Sequence, residues 1–377
     1  MCSSTRHVCI MNNRNISRRE FLKLSAIGIG GLAISKKDVH LLELPEFPKS
    51  ERLGRVCYGM VELKARPDEN AQTVGRIYED AVVPWLREIV GQKQYYINKR
   101  WVETPDGYVY APYLQPVVNK PNAPVDSLYE TSIGSGMWTE VTVPYVDIQL
   151  ETGGSTAWFK SRLEDDGLPP RLYYGQLFWV DQIKSDTSGQ TFYRVNPNYY
   201  GGLDTLWAPA EALRPIHPDE LEPINPEVED KRIVVDLIHQ SMSCYEGNSE
   251  VFFTRISSGA KFDINGNPVD NWSTPVGIHQ VTRKYISLQM GGGTTGAGWD
   301  LPGIGWTSIF VTGGVAIHST FWHNNFGVWM SHGCVNATPE DAKWIFLWTE
   351  PFVSYDPGAE DISISGKNST TVEVVEG

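Results

Sequence analysis

The sequence predicts a mainly β chain that folds into more than one domain. Its 377 residues exceed the length of one typical domain. Most apolar residues fall in short runs bounded by turn residues, which is typical of strands. Only the segment after Thr338 has the pattern of a well-formed helix. Because 41% of the residues are hydrophobic, the chain can fill several cores.

Residues 53–117 are the first strand-rich segment. Their aromatic residues are spaced as anchors of a small β-core: Trp85, Tyr95, Tyr96, Trp101 and Tyr108. The closing segment Trp101–Val117 resembles the last strands of a bacterial Src-homology-3-like barrel, and Arg66-Pro67-Asp68 suits the first long loop of that fold. We therefore expect a barrel of this type at residues 50–118.

An internal repeat predicts a second, more divergent barrel. The run Gly107–Pro112, followed by Leu114–Val117, is echoed by Leu206–Pro209, followed by Leu213–Ile216. Upstream, Gly91–Asn98 has a counterpart in Gly189–Asn196. Two copies about a hundred residues apart suggest two related units, the second at residues 125–218. The segment 218–230, rich in proline and glutamate, is expected to link it to the next domain.

From Lys231 onward the sequence again predicts strands. Strand-like runs occur at Arg232–Ile238, Val251–Ile256, Val276–Val281 and Phe310–Val311. The helix is expected to begin after Thr338, because Thr is a good N-cap, Pro339 fits the first turn, and Glu340 and Asp341 are acidic there. This places Cys334 on a strand-to-helix loop, four residues before the cap.

Charge excludes some classes of partner. The net charge of −13 and the isoelectric point near 5.1 argue against binding to nucleic acid, because that usually requires a basic surface. They also argue against loose adsorption to anionic lipid or anionic wall polymers, and an acidic surface mainly favours solubility.

The first 40 residues are predicted to be an export signal. Ser17–Lys23, which contains Arg18-Arg19 and Phe21-Leu22-Lys23, precedes the weakly apolar run Leu24–Ile34 and resembles a twin-arginine leader. The run is shorter than the ~20 residues that span a bilayer. Ala33-Ile34-Ser35 is a poor cleavage site, so an uncleaved membrane anchor stays open. We expect the protein to be exported to the cell wall, periplasm or extracellular space.

The cysteines point to a free thiol rather than a disulfide scaffold. Cys2 and Cys9 lie before or within the leader, and Cys57, Cys244 and Cys334 remain. Three cysteines cannot all pair, and Cys57 and Cys244 fall in different predicted domains. Cys334 is therefore the candidate for a reactive thiol.

The segment from His318 to Cys334 carries the chemistry. A cysteine is nucleophilic as its thiolate, and a nearby histidine is the usual means of forming one at neutral pH. Here His318 follows the apolar run Val315–Ile317, and Cys334 lies in the glycine-containing turn Ser331–Asn336. Residues of these types in this order indicate acyl transfer through a thiol.

This motif closely resembles the signature of the L,D-transpeptidases, the enzymes with a YkuD-type catalytic domain. The resemblance extends through Tyr245–Gly247, Ser273–Gly277, Leu301–Gly303, Trp306, His323–Gly327 and Asp341–Trp344, and so covers residues 231–356. It implies a β-sandwich catalytic domain with one helix beside the active site, and a C-terminal tail at 357–377. Two departures are Ser319, where many members have glycine, and Gly305, where proline is common.

The resemblance implies roles for ten residues. Cys334 is the nucleophile and His318 the general base. His332, Gly333 and Ser331 complete the catalytic motif, with the Gly333 carbonyl expected to orient His318. Residues expected to touch substrate or line the cleft are Asn336, Trp306, Trp322, His323 and Asn324; for the tryptophans, core packing is an equal alternative.

The expected activity is cross-linking of peptidoglycan. The partners would be peptidoglycan stem peptides, with carbapenem-type β-lactams as inhibitors and with no cofactor, metal or nucleic acid. A zinc site built from His318, His323, His332 and Cys334 is disfavoured, because their spacing lacks paired ligand repeats. Gly291–Gly298 lacks the lysine of a phosphate loop and is interpreted as a flap.

Two alternatives stay open, namely an L,D-carboxypeptidase of the same fold and a non-catalytic cell-wall-binding protein. A papain-like wall endopeptidase is disfavoured, because there the cysteine precedes the histidine.

Overall fold

The computed structural model describes residues 42–152, 170–197, 205–262, 267–269, 272–292, 299–356, 359–361 and 369–377. The predicted leader and residues 293–298 of the predicted flap lie outside the described residues. In the part that is described, the chain is mainly β, as predicted. No helix among these residues is long and apolar enough to cross a membrane.

The N-terminal region, residues 53–117, forms two small sheets. Its strands are β1 (Leu53–Val56), β2 (Met60–Lys64), β3 (Thr73–Tyr78), β4 (Val82–Pro84), β5 (Arg87–Val90), β6 (Arg100–Thr104), β7 (Gly107–Tyr110) and β8 (Leu114–Val117). One sheet has the order β4-β1-β8 and the other β3-β2-β7-β6-β5. Their inner faces enclose a core that includes Val56, Trp85, Val102 and Leu114.

The middle region, residues 129–215, has its own core. Its strands are β9 (Tyr129–Thr131), β10 (Gly134–Val141), β11 (Tyr145–Asp147), β12 (Gln149–Thr152), β13 (Arg171–Tyr173), β14 (Leu177–Ser185), β15 (Thr191–Asn196), β16 (Thr205–Pro209) and β17 (Leu213–Pro215). Most of them join one sheet of order β12-β16-β15-β14-β10-β17. Met137, Phe178, Tyr193 and Leu206 are fully buried beneath it.

The sequence repeat corresponds to a repeated backbone unit. In the first copy, β7 leads into a 3-10 turn at Ala111–Tyr113 and then β8; in the second, β16 leads into a 3-10 turn at Ala210–Ala212 and then β17. In both, the amide that follows the turn donates to the carbonyl of its first residue. The upstream half of the repeat does not match, because Gly189–Asn196 contains β15 whereas Gly91–Asn98 has no strand.

The C-terminal region, from Lys231 onward, is a two-layer β-sandwich. Its elements are β18 (Lys231–Asp236), β19 (Ser241–Glu246), β20 (Ser249–Arg255), β21 (Gly277–Gln280), β22 (Arg283–Gly292), β23 (Trp299–Val311), β24 (Val315–Ser319), β25 (Val335–Ala337), α1 (Pro339–Trp348), β26 (Ala359–Asp361) and β27 (Thr371–Val375). The sheets have the orders β20-β19-β18-β27-β21 and β25-β24-β23-β22-β26. Ile233 and Val374 of the first pack with Phe310 and Ile317 of the second.

The end of the chain is part of this sandwich rather than a tail. Strand β27 pairs in parallel with β18 and antiparallel with β21, so it lies inside the first sheet. Val372 and Val374 alternate inward and are almost completely buried. The prediction of a tail after residue 356 was wrong. Strand β27 has only five alternating residues and lies far in sequence from the other strands, and so short an alternation does not identify a strand from sequence.

Helix α1 begins where the sequence predicts. The Thr338 hydroxyl accepts a hydrogen bond from the Asp341 amide (3.2 Å), and Pro339 occupies the first turn. The predicted loop between Cys334 and this cap contains a strand instead, since Val335–Ala337 pair in parallel with β24. A three-residue strand is too short to show a sequence period.

Two buried lysines from the sheets cap the other end of α1. The last turn of this helix has no basic residue of its own. The Lys284 ammonium donates to the carbonyls of Phe346 and Thr349, and the Lys231 ammonium donates to that of Trp348 (3.0 Å). Both cations therefore satisfy orphan carbonyls and lie at the negative end of the helix dipole.

The middle and C-terminal regions share a continuous core. Trp138, Leu177 and Trp179 pack in one cluster with Trp306 and Phe346. The Ser287 hydroxyl donates to the Leu177 carbonyl (2.6 Å), and the Gln176 amide donates to that of Pro302 (2.6 Å). The two regions are therefore fixed against each other by apolar packing and by buried hydrogen bonds.

The Lys284→Met substitution should destabilise the protein, because it removes the buried ammonium group that donates to the carbonyls of Phe346 and Thr349. We expect a loss of about 2–4 kcal/mol in the free energy of unfolding. Denaturant titration followed by tryptophan fluorescence measures the change. Lys184→Met, at an exposed position of β14, is the control, and equal transition midpoints for the two variants would contradict this account of the helix end.

Candidate active site

Parallel pairing of two strands brings the predicted base and nucleophile to neighbouring positions in one sheet. In this pairing Ile317 lies opposite Val335, and His318 lies opposite Asn336. Cys334 directly precedes β25, and its sulfur lies 3.7 Å from the carbonyl oxygen of Gly314, just before β24. Extending this register by one residue sets Cys334 beside Ala316, two positions before His318 in the neighbouring strand.

His318 is held in one tautomer. Its side chain is almost fully buried, and Nδ1 lies 2.7 Å from the carbonyl oxygen of Ser319. Because a carbonyl can only accept, Nδ1 must carry the proton, which leaves the Nε2 lone pair as the basic site. Burial lowers the pKa of His318 to about 4, although the bond to Ser319 partly opposes this shift. The imidazole is therefore neutral at physiological pH.

Cys334 is a protonated thiol at rest. Burial raises the pKa of Cys334 to about 11, and a backbone hydrogen bond at Ala316 offsets only part of that shift. Together with a neutral His318, this means that the resting site contains no thiolate–imidazolium pair. The thiol must lose its proton during attack, and a positioned Nε2 lone pair is suited to that step.

The turn that precedes Cys334 is braced by its own side chains and by one threonine. Gly333 adopts φ +127°, its amide donates to the Ser331 hydroxyl (3.1 Å), and that hydroxyl donates to the Cys334 carbonyl. The Thr274 hydroxyl donates to the Gly333 carbonyl (2.8 Å) and accepts from the Gly259 amide (2.9 Å). The expectation that the Gly333 carbonyl orients His318 was wrong, because the Ser319 carbonyl holds Nδ1 of His318 instead.

Three backbone segments meet tightly behind this turn. A Cβ atom on Gly259 would lie 2.0 Å from the Trp272 carbonyl oxygen and 3.0 Å from the Gly333 Cα atom. Only glycine fits there. No role for Gly259 or Thr274 was predicted from the sequence, although Thr274 belongs to the recognised run Ser273–Gly277. Their function depends on contacts between segments that are far apart in sequence.

His332 lies at the surface against Trp272. Its side chain is exposed, and the two ring centroids are 4.1 Å apart at an interplanar angle of 58°. Partial desolvation lowers the pKa of His332 below its usual value, so the ring is mainly neutral at pH 7. A catalytic role for His332 stays a prediction.

His323 and Asn336 form a buried pair beneath the base. Nδ1 of His323 accepts from the Asn325 amide (3.2 Å), so the neutral ring carries its proton on Nε2. Nε2 lies 3.0 Å from the side-chain amide of Asn336, which must therefore turn its oxygen toward the ring. This orientation also gives a partner to the Asn336 oxygen, which would otherwise be buried without one. Burial lowers the pKa of His323 to about 3.

The residues expected to line the cleft fall into two groups. Asn336, His323, Asn324 and Trp306 are all buried, with exposed fractions of 5% or less. Trp306 packs edge-on against Phe346 in the core, which is the alternative expected for the tryptophans. Only Trp322 is partly exposed, and its ring centroid lies 5.9 Å from that of His318. Of these five residues, Trp322 is therefore the best candidate for contact with substrate, and that contact stays a prediction.

The two departures from the recognised motif contact each other. The Gly305 amide donates to the Ser319 hydroxyl (3.1 Å) in the buried interior. A proline at position 305 would have no donor, and a glycine at 319 would have no acceptor. The two positions therefore compensate, and the bond fixes the residue whose carbonyl holds His318.

The three described cysteines are all free thiols. Cys244 is fully buried, and the Cys57 sulfur lies 3.3 Å from the Tyr113 carbonyl oxygen. Within the described ranges, no three His, Cys, Asp or Glu side chains cluster in a way that could hold a metal ion.

The comparison with protein families identifies the domain that contains this site. Residues 230–374 match the YkuD family, the L,D-transpeptidase catalytic domain. The match includes β27, in agreement with the sandwich described above, and it extends beyond the 231–356 expected from the motifs. No curated protein matches the chain.

Similar solved structures include three L,D-transpeptidases. A cysteine-to-serine mutant from Enterococcus faecium is 26% identical, with 40% of this chain and 51% of that chain covered and a TM-score of 0.30. An enzyme in complex with imipenem is 15% identical, with coverages of 67% and 100% and a TM-score of 0.29. L,D-transpeptidase 3 from Mycobacterium tuberculosis, with a faropenem-derived adduct, is 18% identical, with coverages of 52% and 81% and a TM-score of 0.29. The chain thus spans about half the length of the E. faecium structure, and the similarity to the YkuD family is a match over residues 230–374.

The resting protonation state predicts the pH dependence of alkylation. Since the pKa of Cys334 is raised to about 11, the thiolate fraction grows about tenfold per pH unit below that value. The rate of Cys334 alkylation by iodoacetamide should therefore keep rising from about pH 7 to about pH 10. Mass spectrometry of the labelled peptide measures it, with Cys334→Ala as the background. A plateau near neutral pH would instead indicate a preformed ion pair.

Thr274→Val should loosen the cysteine turn without changing its volume greatly. It removes the acceptor of the Gly259 amide and the donor to the Gly333 carbonyl, so we expect a stability loss of about 1–3 kcal/mol and a changed alkylation rate of Cys334. Thr282→Val, which loses only one long bond to the Ile309 carbonyl (3.3 Å), is the control. Identical unfolding midpoints and alkylation rates in the two variants would show that the Thr274 bridge is dispensable.

Proposed function

We propose that this protein is a peptidoglycan L,D-transpeptidase. One observation carries the proposal: His318 has its Nδ1 occupied by the Ser319 carbonyl and its Nε2 available as a base, in the strand that pairs with the residues directly after Cys334. This arrangement lies in the part of the chain that matches the L,D-transpeptidase catalytic domain. The donor would be a stem tetrapeptide, the leaving group its terminal D-alanine, and the acceptor an amine on a neighbouring stem.

The first half-reaction acylates the enzyme. The Cys334 sulfur attacks the carbonyl carbon of the third stem residue while Nε2 of His318 takes the thiol proton. Backbone amides beside Cys334 stabilise the developing oxyanion. The tetrahedral intermediate collapses with cleavage of the C–N bond, and the imidazolium returns the proton to the departing amine of D-alanine. A thioester on Cys334 and a neutral His318 remain.

The second half-reaction reverses the proton flow. The acceptor amine attacks the thioester carbonyl, and its proton passes to Nε2 of His318. Cleavage of the C–S bond releases the cross-linked peptide, and the imidazolium protonates the departing sulfur. General acid–base catalysis of this kind typically contributes about 10²–10⁴-fold to the rate.

The buried, uncharged resting site supports this mechanism. The neutral form of His318 persists to about pH 4, the pKa to which burial lowers it. The base is therefore available across the physiological range, and acylation should not show an acid limb near pH 6.5, the usual pKa of histidine. Charge separation arises only when the substrate carbonyl is in place to receive the sulfur.

Meropenem should form a covalent adduct with the leader-free protein through Cys334. Similar structures carry imipenem and a faropenem-derived adduct, which supports a β-lactam as the probe. We expect the adduct by intact-mass spectrometry in the wild type, its absence in Cys334→Ala and a rate about 10²-fold or more lower in His318→Ala. No adduct on folded, reduced wild-type protein would favour the non-catalytic wall-binding alternative.

Muropeptide assays separate the transpeptidase from the carboxypeptidase. With a disaccharide tetrapeptide as the substrate, the proposed function predicts release of D-alanine together with a cross-linked dimer. Stoichiometric D-alanine without dimer would mean that water is the acceptor. Cys334→Ala should yield neither product.

We propose further that residues 1–40 export the protein by the twin-arginine route. Residues 17–34 support this on sequence alone. A reporter fused to residues 1–40 should appear outside the cytoplasm, whereas the same fusion with Arg18→Lys and Arg19→Lys should stay inside. Export of both fusions would contradict the twin-arginine assignment.

A further inference from the structure

A short loop joins the catalytic base to the N-terminal region of the chain. We name residues Thr320–Phe326, which follow β24, the base-flanking loop. We propose that the N-terminal region positions the catalytic base, with Arg55 and Arg100 as positioning residues that hold the backbone of this loop. The inference rests on the proposed function, since it assigns the N-terminal region a part in the same active site.

Arg55 carries the first part of the argument. Only 3% of it is exposed, and it donates to the Phe321 carbonyl (2.6 Å) across the junction between the regions. Its other donors bind Gln115 (2.8 and 3.0 Å) and Asp80 (2.9 Å). A buried guanidinium is tolerated only when its donors are satisfied. The network is thus complete only when the base-flanking loop is docked.

The middle region holds the same residue from another side. The rings of Tyr173 and Phe321 stack with centroids 5.5 Å apart and an interplanar angle of 16°. The Arg55 guanidinium lies 4.1 Å from the centroid of the Tyr173 ring, and Asp80 also pairs with Arg171 (2.9 Å). Phe321 is therefore fixed by its carbonyl to one region and by its ring to the other.

Arg100 and its neighbours hold the next part of the loop. The Arg100 guanidinium donates to the Asn324 carbonyl (2.7 Å), and the Asn324 amide donates to the Pro112 carbonyl (3.3 Å). The Asn98 side chain donates to that of Asn325 (3.3 Å). With the contact from Arg55, this makes four polar contacts at three positions of the loop, namely Phe321, Asn324 and Asn325.

The loop transmits this placement to the base through two residues. Trp322, between the two anchored positions, has its ring beside that of His318, with centroids 5.9 Å apart. His323 binds Asn336, which lies opposite His318 in the β24–β25 pairing. Displacement of the loop would therefore move the Trp322 ring that lies beside the His318 imidazole, and it would also disturb Asn336 in the neighbouring strand.

These contacts distinguish a positioning role from that of a spacer. A spacer needs only to hold a distance and has no reason to bury a cation at the junction, because burial without complete pairing is costly. Here two arginines of the N-terminal region each donate to a main-chain carbonyl of the loop. A guanidinium that binds a carbonyl fixes backbone position whatever the loop side chain is.

The decisive experiment compares Arg100→Met with Arg87→Met. Arg100 is partly exposed, so its loss should leave the fold intact; Arg87 is an exposed arginine of the same region that pairs with Glu103 within that region. We expect the second-order rate of meropenem acylation to fall about tenfold or more in Arg100→Met and to stay at the wild-type value in Arg87→Met. Arg100→Lys, which keeps one donor, should recover part of the rate.

A double variant tests whether Arg100 acts through the base. In the His318→Ala background, adding Arg100→Met should cause no further loss of rate, because the group that it positions is gone. An equal tenfold loss in both backgrounds would overturn the inference, and so would a wild-type rate for Arg100→Met. Asn98→Ala gives a second, independent variant of the same contact set.

NMR of ¹⁵N-histidine-labelled protein supplies a readout that does not depend on activity. The ring nitrogens of His318 should report an Nδ1–H tautomer in the wild type and in Arg87→Met, and a shifted or averaged signal in Arg100→Met. If the wild type is not acylated at all, the proposed function fails, and these spectra still decide the inference. Unchanged His318 signals in Arg100→Met would overturn it.

Discussion

The parallel pairing of β24 with β25 is the constraint on which the site depends. It places His318 opposite Asn336 and leaves Cys334 at the entrance to the adjoining strand. The hydrogen bonds around the site hold the residues next to one strand or the other of this pairing. On one side, Ser331 and Thr274 hold the turn that delivers Cys334. On the other, the Ser319 carbonyl fixes the proton of His318 on Nδ1.

Burial determines the electrostatic character of this pair. The same loss of hydration that lowers the pKa of His318 raises that of Cys334, so both groups are neutral at rest. A cysteine–histidine pair in contact with water would ionise more readily before substrate binds, but its thiolate would then be free to attack any electrophile. Under the proposed mechanism the thiolate forms only when a substrate carbonyl is in place, so the resting thiol should react slowly with small oxidants and alkylating agents.

The sequence predicts those parts of the site that are encoded locally. Short sequence patterns with a known structural cause predict the order of His318 and Cys334, the glycine turn at 333 and the cap at Thr338. The unpredicted parts depend on tertiary contacts. The partner of the Gly333 carbonyl is fifty-nine positions away at Thr274, and the carbonyls that accept from Asn324 belong to Ala111 and Pro112. No periodicity or spacing in the sequence could identify these partners.

The same distinction explains the fold. Strand-rich regions, the repeated strand–turn–strand unit and the start of α1 were predictable from alternation, repetition and capping. The position of β27 was not, because its place between β18 and β21 depends on pairing with strands that are far away in sequence. Nor was the capping of α1 by Lys231 and Lys284, since lysines on strands are ordinarily expected to face solvent.

Paired changes show how such a site can depart from a common motif without losing its geometry. Serine at 319 alone would bury a hydroxyl, and glycine at 305 alone would expose an amide to the core; together they form one hydrogen bond. That bond constrains the residue whose carbonyl sets the tautomer of His318, while Arg55 constrains the carbonyl two positions later. The proposed base, His318, is thus held from within its own domain at Ser319, and the loop that follows it is held from outside that domain at Phe321. A change at Ser319 or Phe321 should therefore alter the position of the His318 imidazole before it destabilises the fold as a whole.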